Sequence, residues 1–188
     1  LGDNYKQKKQ DIVSSVENIS GKFIDSRKNS FPGEVVSDFI QENENYFPKL
    51  EEFASNFFIK TQTNNRTGYS SICDYLIDKH GIEVKDVVPE ENKPFTKQYD
   101  PIKKKFILSD YLSLESKKLY AAAQVAQLEA IEIIDEYLNS FSFPNEESKK
   151  LSKIALLNYT GAAIIMPYKR FYEECAKQRY DVELLQNT

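Results

Sequence analysis

The 188-residue chain has one histidine, no tryptophan and only two cysteines. A single imidazole cannot supply the two His ligands of a zincin or carbonic-anhydrase site, so the sequence excludes both classes for this chain. That histidine, His80, precedes Gly81 at an apparent helix end, where a cationic side chain is ordinary helix-terminus chemistry. Cys73 and Cys175 lack metal-ligand spacing and are expected to be free, partly buried thiols of a reducing compartment.

Glycine is scarce, and long apolar runs are missing. Six glycines form no G-x-G-x-x-G motif and no P-loop, so no glycine-rich phosphate site is predicted. No apolar run approaches the roughly 18 residues of a membrane span, and no signal peptide opens the chain. A net charge of −4 and only four arginines argue against a nucleic-acid surface. We therefore expect a cytoplasmic protein without a membrane segment, excised from a longer one because it begins with Leu1.

Apolar residues are frequent enough to form a core, at 40% of the chain with 13% aromatic. Helical periodicity predicts an amphipathic helix within residues 1–30, which would be a linker or dimerisation helix, followed by one domain over 31–188. Alternation after Ile82 and a hairpin around Asp100 predict about three strands between residues 82 and 109. The predicted fold class is therefore α+β, mostly helical with a small sheet.

Local signals also predict the boundaries of the later helices. Ser113 is a good N-cap for one long helix that would run to about Asn139. Pro144 and Asn145 should begin the next helix, which Pro167 should end or kink.

Two motifs near the end of the chain resemble a known family. The run from Asn158 to Phe171 contains M-P-Y-x-x-F and is followed by R-Y-D at Arg179 to Asp181. This pair resembles the XRE-type bacterial transcriptional regulators that carry an IrrE-like, metallopeptidase-related module, the short-chain fatty acyl-CoA regulators. Residues 38–50 also resemble the linker of that family, so the similarity extends from about residue 31 to the end.

The resemblance implies a zincin-like, IrrE-type core that has lost its metal site. Related metallopeptidases carry H-E-x-x-H on the helix corresponding to residues 114–139, and the matching positions here are Ala123, Gln124 and Gln127. The position of the third ligand falls on or next to Leu156. Alanine and leucine have no donor atom and a glutamine amide is a poor zinc ligand, so we expect no metal, no cofactor and no enzymatic activity.

If the ancestral cleft survives, it is a mainly apolar pocket suited to a small acyl effector. Its candidate lining residues are Ala123, Gln124, Gln127, Leu156, Asn158, Tyr159 and Tyr168. Phosphates of a CoA-sized ligand would need cations, and the candidates are Lys103, Lys104, Lys105, Lys169 and Arg170. The alternatives are that side chains fill the cleft as ordinary core and that these cations are plain surface.

The function that the resemblance implies is that of an effector-sensing and dimerisation region of a transcriptional regulator. It would bind a short-chain acyl-CoA or a related metabolite without catalysis, and it would act as a homodimer. DNA would be bound only by the helix-turn-helix domain that such regulators carry and that is absent from this chain. The alternative is a protein–protein interaction scaffold derived from a metallopeptidase.

Overall fold

The computed structural model describes residues 31–61 and 68–177. The predicted helix within residues 1–30 and the R-Y-D motif at Arg179 to Asp181 lie outside these residues. Within them the chain forms seven helices and three strands. In chain order these are α1 (Pro32–Glu42), α2 (Pro48–Thr61), α3 (Tyr69–His80), β1 (Glu83–Val87), β2 (Lys97–Asp100), β3 (Lys105–Ser109), α4 (Leu114–Glu129), α5 (Ile131–Ser140), α6 (Glu146–Ile165) and α7 (Tyr168–Lys177).

The three strands form one mixed sheet in the order β1-β3-β2. Strand β1 pairs in parallel with β3, and β2 pairs antiparallel with β3 as the predicted hairpin requires. The turn of the hairpin is held by Asp100, whose carboxylate accepts hydrogen bonds from the backbone N–H groups of Ile102 and Lys103 at 3.0 and 2.9 Å. The predicted α+β class, mostly helical with about three strands, is therefore confirmed.

One face of the sheet is buried and carries alternate residues of β3. Phe106 and Leu108 on this face are fully buried. Their antiparallel partners are Tyr99 and Lys97 on β2. Because directly opposed residues of an antiparallel pair point to the same face, Lys97 and Tyr99 lie on the same side of the sheet as Phe106 and Leu108, but at the edge strand β2 Tyr99 is half-buried and Lys97 is exposed.

The helix after the sheet begins as predicted but ends earlier. Ser113 caps α4 by accepting a hydrogen bond from the backbone N–H of Ser116 at 3.2 Å. The prediction of one helix to about Asn139 is wrong, because Ala130 separates α4 from α5 with φ −108° and ψ 6°. Ala130 still donates to the carbonyl of Ala126 and accepts from Ile134, so the bend costs few backbone hydrogen bonds. No glycine or proline lies at this bend, and the apolar periodicity continues through it, so the sequence does not indicate that the helix is interrupted.

The described residues divide into two compact units. The first, residues 31–46 and 138–152, contains α1 and an aromatic cluster in which the Phe39 ring centroid lies 5.3 Å from that of Phe141 and 5.4 Å from that of Phe143. Asn145 caps α6 here, as predicted, by accepting a hydrogen bond from the backbone N–H of Ser148 at 2.8 Å. Edge-to-face and tilted ring pairs of this kind add stability beyond the area that they bury.

The second unit, residues 47–61, 68–137 and 153–177, is built around α4. Helix α3 packs against α4 and β1, and it ends at Gly81, whose φ of 68° forms the left-handed C-cap that the sequence predicts. The alanines of α4 are fully or almost fully buried, and they are Ala121, Ala122, Ala123 and Ala126. Small residues on α4 let a second helix approach closely, and Gly161 of α6 does so at Ala123.

The approach of α6 to α4 is close enough to exclude a side chain at Gly161. A Cβ atom built at Gly161 would lie 2.9 Å from the backbone nitrogen of Ala123 and 3.2 Å from its Cα. Real Cβ atoms essentially never come within 3.0 Å of such a neighbour. The two helices therefore meet backbone to backbone at this point.

No helix among the described residues is both long and apolar enough to span a bilayer.

We expect Gly161→Ala to destabilise the protein by about 1–3 kcal/mol, because the added methyl group must push two helix backbones apart. Gly33→Ala in α1 is the matched control, since a Cβ at Gly33 would meet nothing within 4 Å. That substitution should leave stability unchanged or raise it by up to about 1 kcal/mol. Urea unfolding of both variants measures the difference, and equal effects of the two substitutions would contradict the close packing.

Candidate functional site

The predicted pocket residues on α4 lie in three different environments. Ala123 is buried against Gly161, and Gln124 is 5% exposed. Gln127 lies on the same helix face as Gln124, because it follows Gln124 by three residues. Its side chain is exposed. The three positions where the related peptidases carry H-E-x-x-H are therefore together on α4, as one helix requires, but only the first two are buried.

Gln124 presents an unsatisfied polar group. Its side-chain nitrogen Nε2 is buried and has no hydrogen-bond partner among the described residues. Leaving a buried donor unpaired costs about 1–3 kcal/mol, so proteins rarely keep one without a use for it. This amide stands where the related peptidases carry a carboxylate, and it is a donor that a ligand oxygen could satisfy.

Leu156, the residue at the predicted third-ligand position, is fully buried in α6. Its carbonyl accepts a hydrogen bond from the Thr160 hydroxyl at 2.7 Å. A buried aliphatic side chain here fits the predicted loss of the ligand. Asn158, two residues later, is half-buried.

The two predicted tyrosines are brought together by a residue that the sequence did not indicate. The Tyr159 hydroxyl on α6 donates to Oε1 of Glu51 at 2.6 Å and accepts from the backbone N–H of Phe47 at 3.4 Å. The other carboxylate oxygen of Glu51 accepts from the backbone N–H of Tyr168 at 3.3 Å. Tyr168 is the first residue of α7, so Glu51 caps that helix from α2. No short-range motif links these residues, because 108 positions separate Glu51 from Tyr159.

The ring of Tyr168 itself points away from the core. It is 53% exposed and stacks on Tyr172 with ring centroids 6.5 Å apart. Tyr168 therefore contributes its backbone to the capped junction between α6 and α7, and its aromatic ring to the surface of α7.

The predicted phosphate contacts form two separate groups. Lys103 and Lys104 are exposed at the hairpin turn, where Lys103 Nζ lies 3.7 Å from Asp100 Oδ2 and Lys104 Nζ donates to the carbonyl of His80 at 3.1 Å. Lys105, half-buried, begins β3.

The second group lies on α7. Lys169 is exposed, and the Arg170 guanidinium lies 4.9 Å from the centroid of the Phe58 ring. Three of these five cations thus already have a protein partner, and the role of all five as phosphate contacts stays a prediction.

Two polar clusters around α3 and α4 were missed by sequence reasoning. Glu129 accepts from the Tyr75 hydroxyl at 2.7 Å and lies 2.7 Å from His80 Nε2, so the helix-end histidine has a carboxylate partner. Burial, together with this hydrogen bond, raises the pKa of Tyr75 to about 12. The cluster joins the ends of α3 and α4 rather than forming a site for a reacting group.

The second missed cluster holds the start of α4 against the sheet. Lys117 Nζ donates to Asp110 and Asp86 at 2.9 Å each, and both bonds raise the pKa of Lys117. The Tyr69 hydroxyl also donates to Asp86 at 3.0 Å.

Cys73 on α3 is a free thiol. Burial raises the pKa of Cys73 to about 11, so the thiol is almost entirely protonated at neutral pH.

The residues present do not fit a catalytic zinc ion. The matched positions offer a methyl group, two amides and an aliphatic chain, and none of these supplies a thiolate, imidazole or carboxylate ligand. The described residues contain no group of three His, Cys, Asp or Glu side chains that could hold a metal.

We expect Glu51→Gln to destabilise the protein by about 1–3 kcal/mol, because an amide can accept from only one of the two donors that the carboxylate satisfies. Hydrogen exchange at the first backbone amides of α7 should accelerate selectively. Glu52→Gln, on the exposed side of α2, is the matched control and should change neither measurement. Uniform acceleration across all helices would mean that Glu51 stabilises the core in general and does not cap α7.

Comparison with known proteins places these features in a family. The model of the IrrE N-terminal-like domain, a peptidase family, matches residues 77–188. The transcriptional regulator RamB of Mycobacterium tuberculosis is 27% identical over 156 residues, covering 83% of this chain and 33% of RamB. PrpR of the same organism is 28% identical over 158 residues, covering 82% and 32%. A propionyl-CoA carboxylase regulator of Cereibacter sphaeroides is 23% identical over 181 residues, covering 96% and 37%.

A solved structure agrees with these relatives. A transcriptional regulator of Mycobacterium tuberculosis matches with a TM-score of 0.75 and 25% identity, over 84% of this chain and 48% of that one. The chain spans about a third of the length of the curated relatives it matches. The resemblance found in the residues is thus confirmed, and because the family model covers more than half of the sequence, the chain belongs to the IrrE N-terminal-like domain family.

Proposed function

We propose that this chain is the effector-sensing and dimerisation region of a bacterial transcriptional regulator, and that it binds a short-chain acyl-CoA or a related metabolite without catalysis. The observation that carries the proposal is the buried, unpaired Nε2 of Gln124, at the position of the catalytic glutamate in the related peptidases. The similarity to RamB, PrpR and the propionyl-CoA carboxylase regulator supports the regulatory part of the proposal.

The absence of catalysis follows from the donor set at these positions. A zinc peptidase needs two imidazoles one helical turn apart and a carboxylate beside the metal-bound water. Ala123, Gln124 and Gln127 provide neither, and the only histidine of the sequence, His80, is bound to Glu129. What Gln124 retains is hydrogen-bonding capacity, which serves recognition of a ligand oxygen.

A sensor must also transmit the binding event. An effector shifts a regulator only if it binds one conformation better than the other. The hydrogen bonds from Tyr159 and from the backbone of Tyr168 to Glu51 connect α6, α2 and the start of α7. We propose that effector binding beside α6 changes this junction and thereby the position of α7.

The partners follow from the same proposal. The match covers only about a third of RamB and of PrpR, and the names of both describe helix-turn-helix regulators. DNA would be bound by a domain of that type outside residues 1–188, in the cytoplasm, with this chain as part of a homodimer. The segment 1–30 would be the linker or dimerisation helix, and residues 31–188 the sensor domain.

A second candidate function is a non-catalytic interaction scaffold. The contact of Gly161 with Ala123 favours it, because α4 and α6 leave no space there for a ligand. An exposed apolar surface on and just before α7, with three aromatic rings, favours it too; it is formed by Met166, Tyr168, Phe171 and Tyr172.

Thermal unfolding in the presence of acyl-CoA thioesters separates the two functions. A ligand at a hundred times its dissociation constant adds about 2.7 kcal/mol, so an acyl-CoA of the right chain length should raise Tm by about 5–10 °C. Acyl-CoAs of two to eight carbons and free CoA form the panel, with free CoA as the control for the nucleotide part. A Tm that no member of the panel changes would refute the sensor function and leave the scaffold.

Elemental analysis tests the loss of the metal site. We expect purified protein, dialysed against zinc and then against buffer, to retain far less than one zinc per chain, because the matched positions carry no zinc ligand. Stoichiometric zinc in the unmodified protein would overturn the alignment of these residues with the peptidase motif.

A further inference from the structure

Lys97 lies on β2 opposite Leu108 and on the same face of the edge strand; Leu108 is fully buried, whereas Lys97 itself is exposed. Its ammonium group lies 4.9 Å from the centroid of the Tyr120 ring on α4. Partial desolvation lowers the pKa of Lys97, and no charged group is among the causes that act on it. Among the described residues, no carboxylate lies within ion-pair distance of this ammonium.

The unpaired amide of Gln124 lies on the same face of α4 as Tyr120. The two residues are four positions apart, and such neighbours have Cβ atoms about 5–6 Å apart. Gln127 continues this face three residues further on and is exposed, so the face runs from the buried amide to solvent. The edge of the sheet and α4 thus place an exposed cation beside Tyr120 and a buried hydrogen-bond donor four residues further along the same face of α4, and neither has an acceptor from the described residues.

We propose that Lys97 and Gln124 bind a carboxylate group of the effector. The Lys97 ammonium neutralises its negative charge, Gln124 Nε2 donates to one of its oxygens, and Tyr120 packs beside it. This inference rests on the proposed sensor function and makes it more specific. A carboxylate offers a negative charge and two acceptor oxygens in one group, which suits a cation and a donor beside the same helix face, whereas the thioester carbonyl and the phosphates of CoA are separated by the length of the pantetheine arm.

The required carboxylate has two possible sources. It is either a free short-chain acid or the terminal carboxylate of a dicarboxylic acyl thioester. Sodium propionate represents the first source and methylmalonyl-CoA the second. Propionyl-CoA is the third probe, because it carries the same acyl group as the free acid without a free carboxylate.

Calorimetric titration and ¹⁵N NMR of the whole chain test the proposal. Propionate or methylmalonyl-CoA should bind and shift the side-chain NH₂ signal of Gln124, which the Gln124→Leu variant identifies. Lys97→Met keeps an unbranched chain over Tyr120 and removes the charge, so it should weaken this binding at least tenfold. Lys85→Met on β1 is the matched control, because Lys85 pairs with Glu83 and lies opposite Ile107 on the other face of the sheet. The Lys85→Met variant should bind the carboxylate probes as the unmodified protein does.

Gln124→Leu gives a second, independent readout. Because it removes an unsatisfied buried donor at similar volume, it should raise the Tm of the ligand-free protein while abolishing the propionate-induced shift. Substitution of a residue with a purely structural role would not raise the Tm and weaken ligand binding at the same time. A lower Tm for Gln124→Leu, with unchanged binding of the carboxylate, would overturn the role of Gln124.

The outcomes separate this inference from the sensor function. Binding of propionyl-CoA that Lys97→Met and Gln124→Leu leave unchanged, with no binding of propionate or methylmalonyl-CoA, would overturn the carboxylate site and retain the sensor. Binding of propionate that depends on Lys97, without binding of any thioester, would retain the site and refute acyl-CoA sensing.

If no probe binds, both ideas fail. Lys97 is then an exposed charge that protects the edge of β2 from pairing with other strands, and Lys97→Met should aggregate, which light scattering detects.

Discussion

The contact between Gly161 and Ala123 constrains most of the second unit. Because α6 meets α4 backbone to backbone there, no larger side chain fits at Gly161, and the alanines of α4 provide the surface for this approach. The interior of a protein is packed as densely as an organic crystal, so one such contact determines how neighbouring side chains are arranged. It also divides the predicted pocket, since Ala123 is covered by α6 while Gln124 and Gln127 follow the helix face toward solvent.

Two carboxylates connect helices that are far apart in the sequence. Glu51 links α2 to α6 through Tyr159 and to α7 through the backbone of Tyr168. Glu129 links the end of α4 to α3 through Tyr75 and His80. Each carboxylate is part of a network that holds helix ends, and helix ends are where a small rearrangement changes the direction of the following segment. The junction at Glu51 adjoins the exposed apolar surface of α7, so it is the better placed of the two to transmit a signal.

The residues of α4 at the positions matched to the peptidase motif retain hydrogen-bonding capacity. Gln124 has a buried side-chain nitrogen without a partner among the described residues, and the exposed Lys97 on the edge strand holds its ammonium group beside the Tyr120 ring of α4. Keeping a buried donor unpaired is costly, and the cost is offset when a ligand supplies the missing acceptor. The carboxylate binding proposed above would use both groups.

The sequence by itself determined what depends on neighbouring residues: the helix starts at Ser113 and Asn145, the end of α3 at Gly81, the hairpin at Asp100 and the α+β class. It also determined which side chains stand at Ala123, Gln124 and Leu156, because donor chemistry is a property of residue type. Only the tertiary structure decided that α4 ends at Ala130, that Glu51 joins Tyr159 to Tyr168, and that the ammonium of Lys97 lies beside Tyr120. These contacts join residues separated by tens to more than a hundred positions, and no periodicity or local propensity records which distant elements will pack together.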